Sequence, residues 1–160
     1  MSATRSTSRL LHPRRQRGVA MVEFVVGAPI LLLLLYSVTE VGEIFVQASM
    51  LADAARDADR YLASRALLGS TGVVNLSGPV IAAAQNLAVY GNTIGAGRPL
   101  LPDLATSQVA IATDGANNVS VSIAYPYQSL FGGAIPLFFT TGSINTGGLT
   151  LTAYTSMLAL

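Results

Sequence analysis

The longest apolar stretch of the chain runs from Val19 to Val38, and its only charged residue is Glu23. A helix of roughly 20 residues rises about 30 Å, which matches the hydrocarbon core of a bilayer. The pattern therefore predicts a transmembrane segment over residues 19–38. An ionised carboxylate in hydrocarbon costs on the order of 3 kcal/mol. Glu23 is therefore either neutralised by a partner or close enough to the membrane surface to reach water.

Inside this stretch, Gly27 and Pro29 predict a kink. Proline has no amide proton and its ring clashes with the carbonyl one turn earlier, while glycine adds backbone freedom. Membrane helices tolerate such positions. The kink either loosens a turn that matters when the helix packs with others, or it belongs to a simple bent anchor.

Beyond Val38 the helical pattern continues, because apolar residues recur at spacings of three and four until Gly69 and Gly72 stop it near Leu68. This pattern predicts a helical extension outside the membrane over residues 39–68. Asp59 projects towards the apolar side, where it meets an arginine of a partner helix or reaches water at the edge of the stripe. The apolar stripe comprises Val41, Ile44, Ala48, Leu51, Ala55, Ala58 and Leu62.

The opposite face of the extension carries charges one turn apart. Asp53 and Arg56 form one such pair, and Asp57 and Arg60 form a second. Pairs of this kind stabilise a helix by roughly 0.2–0.5 kcal/mol each. The simplest interpretation is a solvated face.

The C-terminal part changes to shorter elements and predicts an α+β head over residues 73–160. A short helix is expected over residues 78–90, with Ser77 as its N-cap and Gly91 at its end. Alternating apolar residues then predict three antiparallel strands near residues 107–113, 119–125 and 149–158. The fold class is therefore α+β: a long N-terminal transmembrane helix extended outside the membrane, followed by a small domain with one short helix and a three-stranded antiparallel sheet.

An apolar segment, residues 130–139, separates the last two predicted strands and is broken by glycines and Pro136. It lies under the sheet, at the membrane interface or against a partner. The candidate partner contacts are Leu130, Phe131, Phe138 and Phe139, together with Asp59.

Charge is scarce, at 11% of residues, and it is unevenly placed. Five arginines and no acid precede the apolar run, whereas the rest of the chain is net negative. The positive-inside bias therefore places residues 1–18, a basic leader, in the cytoplasm and the C-terminal part outside it. No basic face with interleaved aromatic residues recurs downstream, which argues against a nucleic-acid partner.

The C-terminal part lacks cysteine and histidine, two residue types that often carry catalysis or metal binding. The chain has no cysteine, and its single histidine, His12, precedes the apolar run. Glycines near Arg98 lack the Lys-Ser/Thr pair of a phosphate-binding loop. We therefore expect no enzyme activity, no cofactor and no metal site.

The junction between leader and apolar run reads RGVAMVEF, so Glu23 follows Gly18 by five residues. This phrase resembles the processing site of type IV prepilins and pseudopilins. With the downstream helix EVGEIFVQASMLADAARDADRYLA, it resembles the TadE-like proteins of the tight-adherence (Tad/Flp) pilus system. The resemblance implies cleavage between Gly18 and Val19 by a prepilin peptidase. A new ammonium on Val19 would then pair with Glu23 of a neighbouring subunit.

The resemblance implies a minor pseudopilin in the inner membrane, with its N-terminus cytoplasmic, that takes part in assembly of an adhesive pilus. Its implied partners are the prepilin peptidase, other pseudopilins and the major pilin, the inner-membrane assembly platform and the lipid bilayer. The alternative is an uncleaved, signal-anchored surface protein whose head binds a partner or ligand. A cleaved secretory signal ending near Ala48, a twin-arginine signal and a secreted enzyme are less favoured interpretations.

Overall fold

The computed structural model describes residues 16–66, 74, 76–114, 117–130, 132–136, 142–145 and 147–159. Most of the predicted leader, with His12, lies outside these ranges, as do Phe131, Phe138 and Phe139. The described elements confirm the predicted α+β class. They are, in chain order, α1 (Gln16–Arg65), α2 (Gly78–Tyr90), a 3₁₀ turn (Thr106–Gln108), β1 (Val109–Thr113), β2 (Asn118–Pro126), β3 (Ala134–Pro136), β4 (Ser143–Asn145) and β5 (Thr150–Leu158).

Two details of the elements differ from the prediction. Helix α1 ends at Arg65, three residues before the expected end at Leu68. Strands β3 and β4 form a small antiparallel hairpin that the sequence did not predict. Glycines and Pro136 around this region read as loop signals, and strands of three residues are too short to show an alternating pattern.

The chain divides into two compact units, the first ending at Ser37 and the second running from Val38 to Leu160. Helix α1 contributes to both. In the first unit it is the apolar helix with its side chains exposed or half-exposed. In the second unit it is a component of the core, so the predicted helical extension belongs structurally to the head.

The second unit is built around a three-stranded antiparallel sheet in the order β1-β2-β5. Val121 of β2 lies opposite Ile111 of β1 and Thr155 of β5, so these side chains share one face. Successive side chains of a strand point to opposite faces. The predicted alternation in β2 is confirmed, because its inward residues have no exposed surface: Val119, Val121, Ile123 and Tyr125.

The core unites this inward face with α1 and α2. Small residues dominate the helical side, since Ala55 and Ala58 of α1 and Ala84 and Ala88 of α2 are all buried. Side chains of this size let helices lie close to the sheet. The predicted apolar stripe is buried from Leu51 onwards, but Val41 is 52% exposed, because the head-facing side of α1 at that level carries polar residues instead.

Helix α2 ends as the sequence predicted. Gly91 adopts a left-handed conformation with φ +69°, and its amide donates to the Leu87 carbonyl at 2.9 Å. Glycine reaches this conformation without the strain that a Cβ brings. Ser77 occupies the N-cap position, although its side chain makes no capping hydrogen bond.

Replacing Tyr125 with phenylalanine is expected to destabilise the second unit by about 0.5–1.5 kcal/mol. Tyr125 is fully buried, and its hydroxyl donates to the Pro102 carbonyl at 2.9 Å, which ties β2 to the loop before the 3₁₀ turn. The measurement is chemical unfolding of the detergent-solubilised chain. The matched control is Tyr154→Phe, because Tyr154 is 71% exposed. Equal effects of the two substitutions would contradict this account.

Candidate functional site

The predicted processing residues lie in the first turn of α1, which begins at Gln16. Gly18 is exposed, and a Cβ built on it would meet no atom within 4 Å. Amides in the first turn of a helix have no intrahelical acceptors. The peptide bond between Gly18 and Val19 is therefore exposed and lies where the helix opens at least cost.

Val19 and Glu23 are one turn apart and belong to the same stretch of helix surface as Gly18 and Val22. Val19 is 68% exposed, and Glu23 is exposed as well. Within the described part of the chain, the Glu23 carboxylate makes no hydrogen bond and no ion pair. The structure thus groups the predicted processing and pairing residues on one accessible face.

The helix that carries this site is the one candidate membrane span found among the described residues. No part of its most apolar window is buried by the rest of the chain. Residues around Glu23 are large, apolar and exposed, including Met21 and Phe24 at 72% and 71%. The protein is therefore consistent with a single-pass membrane protein, and among the described side chains of residues 18–38 Glu23 is the only charged one.

The helix continues through Gly27 and Pro29 without interruption. Pro29 provides no amide for the usual bond to the carbonyl four residues earlier, so one bond of the helix is missing there. A Cβ at Gly27 would meet no atom within 4 Å, so no packing within the chain requires glycine at that position. The kink stays a prediction.

Asp59 is completely buried, and the expectation that its carboxylate reaches water is wrong. Neither oxygen has a partner in hydrogen-bond geometry. Burial raises the pKa of Asp59, and hydrogen bonding from the Thr155 hydroxyl on β5, which falls short of full hydrogen-bond geometry, lowers the pKa to a smaller extent. The carboxyl group has no exposed surface to offer a partner in this folded unit.

Two buried polar residues of α1 were not identified from the sequence. Gln47 is 4% exposed, and its amide nitrogen donates to the Glu43 carboxylate at 2.9 Å and to the Gln128 carbonyl at 3.2 Å. Glu40, one turn before Glu43, is 3% exposed, and its carboxylate has no hydrogen-bond partner in the described part of the chain. The Gln47 bonds join α1 to the segment that follows β2.

Of the apolar segment 130–139, the structure describes residues 130 and 132–136. Leu130 is 57% exposed. Residues 134–136 form β3, so this part is a strand of the small hairpin and not a loop. The role of the three phenylalanines in partner contacts stays a prediction.

Among the described residues, no group of three or more His, Asp or Glu side chains comes together in a way that could hold a metal ion. The grouped features of the site are an exposed Gly-Val peptide bond and a carboxylate one turn away.

Comparison with known proteins gives one match. Residues 18–60 match the family model described as TadE-like protein, so the match begins at Gly18 and ends within the helical extension. The comparisons with curated proteins and with solved structures give no significant match. The match confirms the resemblance over residues 18–60, and it is consistent with a TadE-like protein of the Tad pilus system within the broader type IV pilin superfamily.

Proposed function

We propose that this chain, TadE-like over residues 18–60, is a minor pseudopilin that a prepilin peptidase cleaves between Gly18 and Val19 and that then takes part in assembling a Tad-type pilus. The observation that carries the proposal is the coincidence of the family match with the site. The match starts at Gly18, and Glu23 lies on the same exposed helix face as the bond to be cut.

The cleavage step depends on access to the Gly18–Val19 bond. Gly18 lacks a Cβ, which lets the peptidase approach the backbone closely. Its place in the first turn of α1 keeps the cost of opening the helix low. Hydrolysis then leaves an ammonium group on Val19, at the end of an apolar helix.

The assembly step follows from the isolation of Glu23. In an apolar surrounding, a carboxylate and an ammonium each carry a large desolvation cost, and they reduce it by pairing. Glu23 of one subunit and the Val19 amine of a neighbour form such a pair. The pair sets the axial register of the two helices, because any other register leaves two charges without partners.

We assign the protein to the inner membrane, with the leader in the cytoplasm and the head outside it, from the arginines that precede the span. Other pseudopilins, the major pilin and the assembly platform are its proposed partners. Its role is structural, and neither a catalytic step nor a cofactor is part of the proposal.

Replacing Glu23 with valine is expected to leave membrane insertion and leader cleavage intact and to abolish assembly with other subunits. Valine is more compatible with hydrocarbon than a carboxylate, but it does not neutralise the Val19 ammonium. The measurement is the fraction of the protein in sheared pili, compared with its amount in the membrane. The conservative control is Glu23→Asp, which keeps the charge. A valine variant that assembles normally would overturn the pairing.

A further inference from the structure

The outward side of α1 in the second unit is accessible along its length. It lies opposite the core-facing residues, and its side chains change from apolar to charged along the helix. Its first turns carry exposed apolar side chains, and its later turns carry exposed charges. The apolar members are Val38, Phe45 and Val46, and the charged members are Asp53, Arg56, Asp57 and Arg60.

The acids and the arginines form two separate rows. At about 100° per residue, Asp53 and Asp57 lie on the flank of α1 that borders α2, and the arginines lie roughly 60° farther round. The predicted Asp53–Arg56 pair is present at 2.8 Å. The predicted pair of Asp57 with Arg60 is absent from the described structure. Asp57 and Arg60 are thus complementary charges on one face that do not neutralise each other.

The acidic row borders a groove of about 260 Å³ between α1, α2 and the loop that follows α2. Its walls are mostly apolar, and the two carboxylates, Asp53 and Asp57, line its α1 side. An arginine side chain is complementary to such a groove. Its aliphatic stem packs against apolar walls, and its guanidinium binds carboxylates. The remaining lining residues are Met50, Ala54, Leu87, Gly91 and Leu100.

We propose that this groove receives Arg60 of a second copy of the chain, in a parallel and axially staggered contact. The inference rests on the proposed function, because anchoring in one membrane with one topology makes the two helices parallel. Arg60 follows Asp57 by three residues, so a copy displaced by about 4.5 Å along the axis brings its Arg60 level with Asp57.

A staggered contact joins two different surfaces of the chain. In a pair, one copy keeps a free Arg60 and the other keeps a free groove, so the contact repeats without closing, as in filaments and not in twofold dimers. The groove therefore makes the second unit a participant in open-ended assembly, in addition to the apolar helix.

Disulfide cross-linking tests the contact, because the chain contains no cysteine of its own. Asp53→Cys and Arg56→Cys chains with tags of different size are co-expressed, and native membranes are oxidised. Both positions are exposed and have the same three-residue offset as Asp57 and Arg60, so the cysteines report the same register while Asp57 and Arg60 stay in place. We expect the mixed dimer well in excess of its statistical share and of both like dimers. Like dimers in excess, a merely statistical mixture or no dimer would overturn the proposal.

Charge exchange gives a second readout on the full-length chain. In the chains that carry cysteine at position 53 or 56, Asp57→Arg alone and Arg60→Asp alone each set like charges against one another and are expected to reduce cross-linked oligomers about tenfold. The double variant restores the complementarity and the oligomers. The matched control is Arg65→Asp, because Arg65 is exposed and lies beside the Tyr61 ring, 5.5 Å away, on another side of the helix. A double variant as defective as the single ones would overturn the proposal.

The N-terminus of the protein in the same membranes separates this inference from the proposed function. If the chain starts at Val19 and the mixed dimer is absent, the groove contact is wrong and pilin-type processing stands. If the chain keeps its leader and the mixed dimer forms, the groove contact stands and processing is wrong.

Discussion

Replacing Asp59 with leucine is expected to stabilise the second unit by about 1–3 kcal/mol at neutral pH. Asp59 has no exposed surface, and both of its oxygens lack hydrogen-bond partners. The Thr155 hydroxyl offsets only the smaller part of the desolvation cost of this buried carboxyl group. Leucine has a similar shape and no such cost, so the contact between α1 and β5 improves.

The same carboxyl group predicts the direction of the pH dependence. Burial raises the pKa of Asp59 above that of an unfolded aspartate, near 3.9. The folded state then binds the proton more tightly than the unfolded state does. Proton binding by Asp59 therefore adds to the free energy of unfolding. This contribution is complete below the pKa of Asp59 in the unfolded state, and it is lost as the pH rises through the raised pKa of Asp59 in the folded state.

Asp59→Asn separates the two effects, because the amide does not ionise. This variant is expected to lose the pH slope that Asp59 causes while it keeps two buried polar atoms. The measurement is denaturant unfolding followed by tyrosine fluorescence, for which a chain without tryptophan is suitable. An unchanged pH slope in the asparagine variant, or a destabilised leucine variant, would contradict the assignment of Asp59 as an unsatisfied buried acid.

Replacing Leu62 with alanine is expected to destabilise the second unit by about 2–5 kcal/mol. Leu62 is fully buried in the core that α1 and α2 form with the sheet. The neighbours on the helices are mainly alanines, which are too short to fill the cavity that the substitution leaves. Part of the penalty therefore comes from the cavity itself.

The control is Leu130→Ala, which removes the same atoms from a side chain that is 57% exposed. Its effect is expected to stay within about 0.5 kcal/mol. The difference between the two unfolding free energies measures how firmly α1 belongs to the core. A small effect of Leu62→Ala would mean that α1 is an independent stalk, as the predicted division between residues 39–68 and 73–160 implies.

The fold could be predicted from the sequence wherever a single period repeats over many residues. The apolar run around Gly27 and Pro29 has helical length, and the inward residues of β2 alternate over most of the strand. The short strands β3 and β4 could not be predicted, because a period needs more than three residues to be visible.

The site was predictable only in its local part. Gly18, Val19 and Glu23 lie within one short segment, and their pattern is visible in the sequence. The surroundings of Asp59 include Thr155, which is far away in the chain, and one of the two bonds of Gln47 depends on Gln128. Contacts of this kind arise from the fold, so a polar residue beside an apolar stripe reads as solvated until the opposing strand is known.

The groove beside Asp57 could not be predicted from the sequence for a related reason. Its far wall includes Gly91 and Leu100, at the two ends of a loop that returns to α2, where the Leu100 amide donates to the Val89 carbonyl at 2.8 Å. The sequence identified the four charges of this helix face but could not show that only one of the two ion pairs forms.

The N-terminal residue of the mature protein, determined by sequencing the chain purified from membranes, tests the central claim most directly. Cleavage by a prepilin peptidase predicts Val19 at the start, with an amine free to pair with Glu23 of a neighbour. A chain that begins at Met1 would contradict processing and subunit pairing together. In that case Glu23 is hydrated at the membrane surface, and the protein is an anchored head.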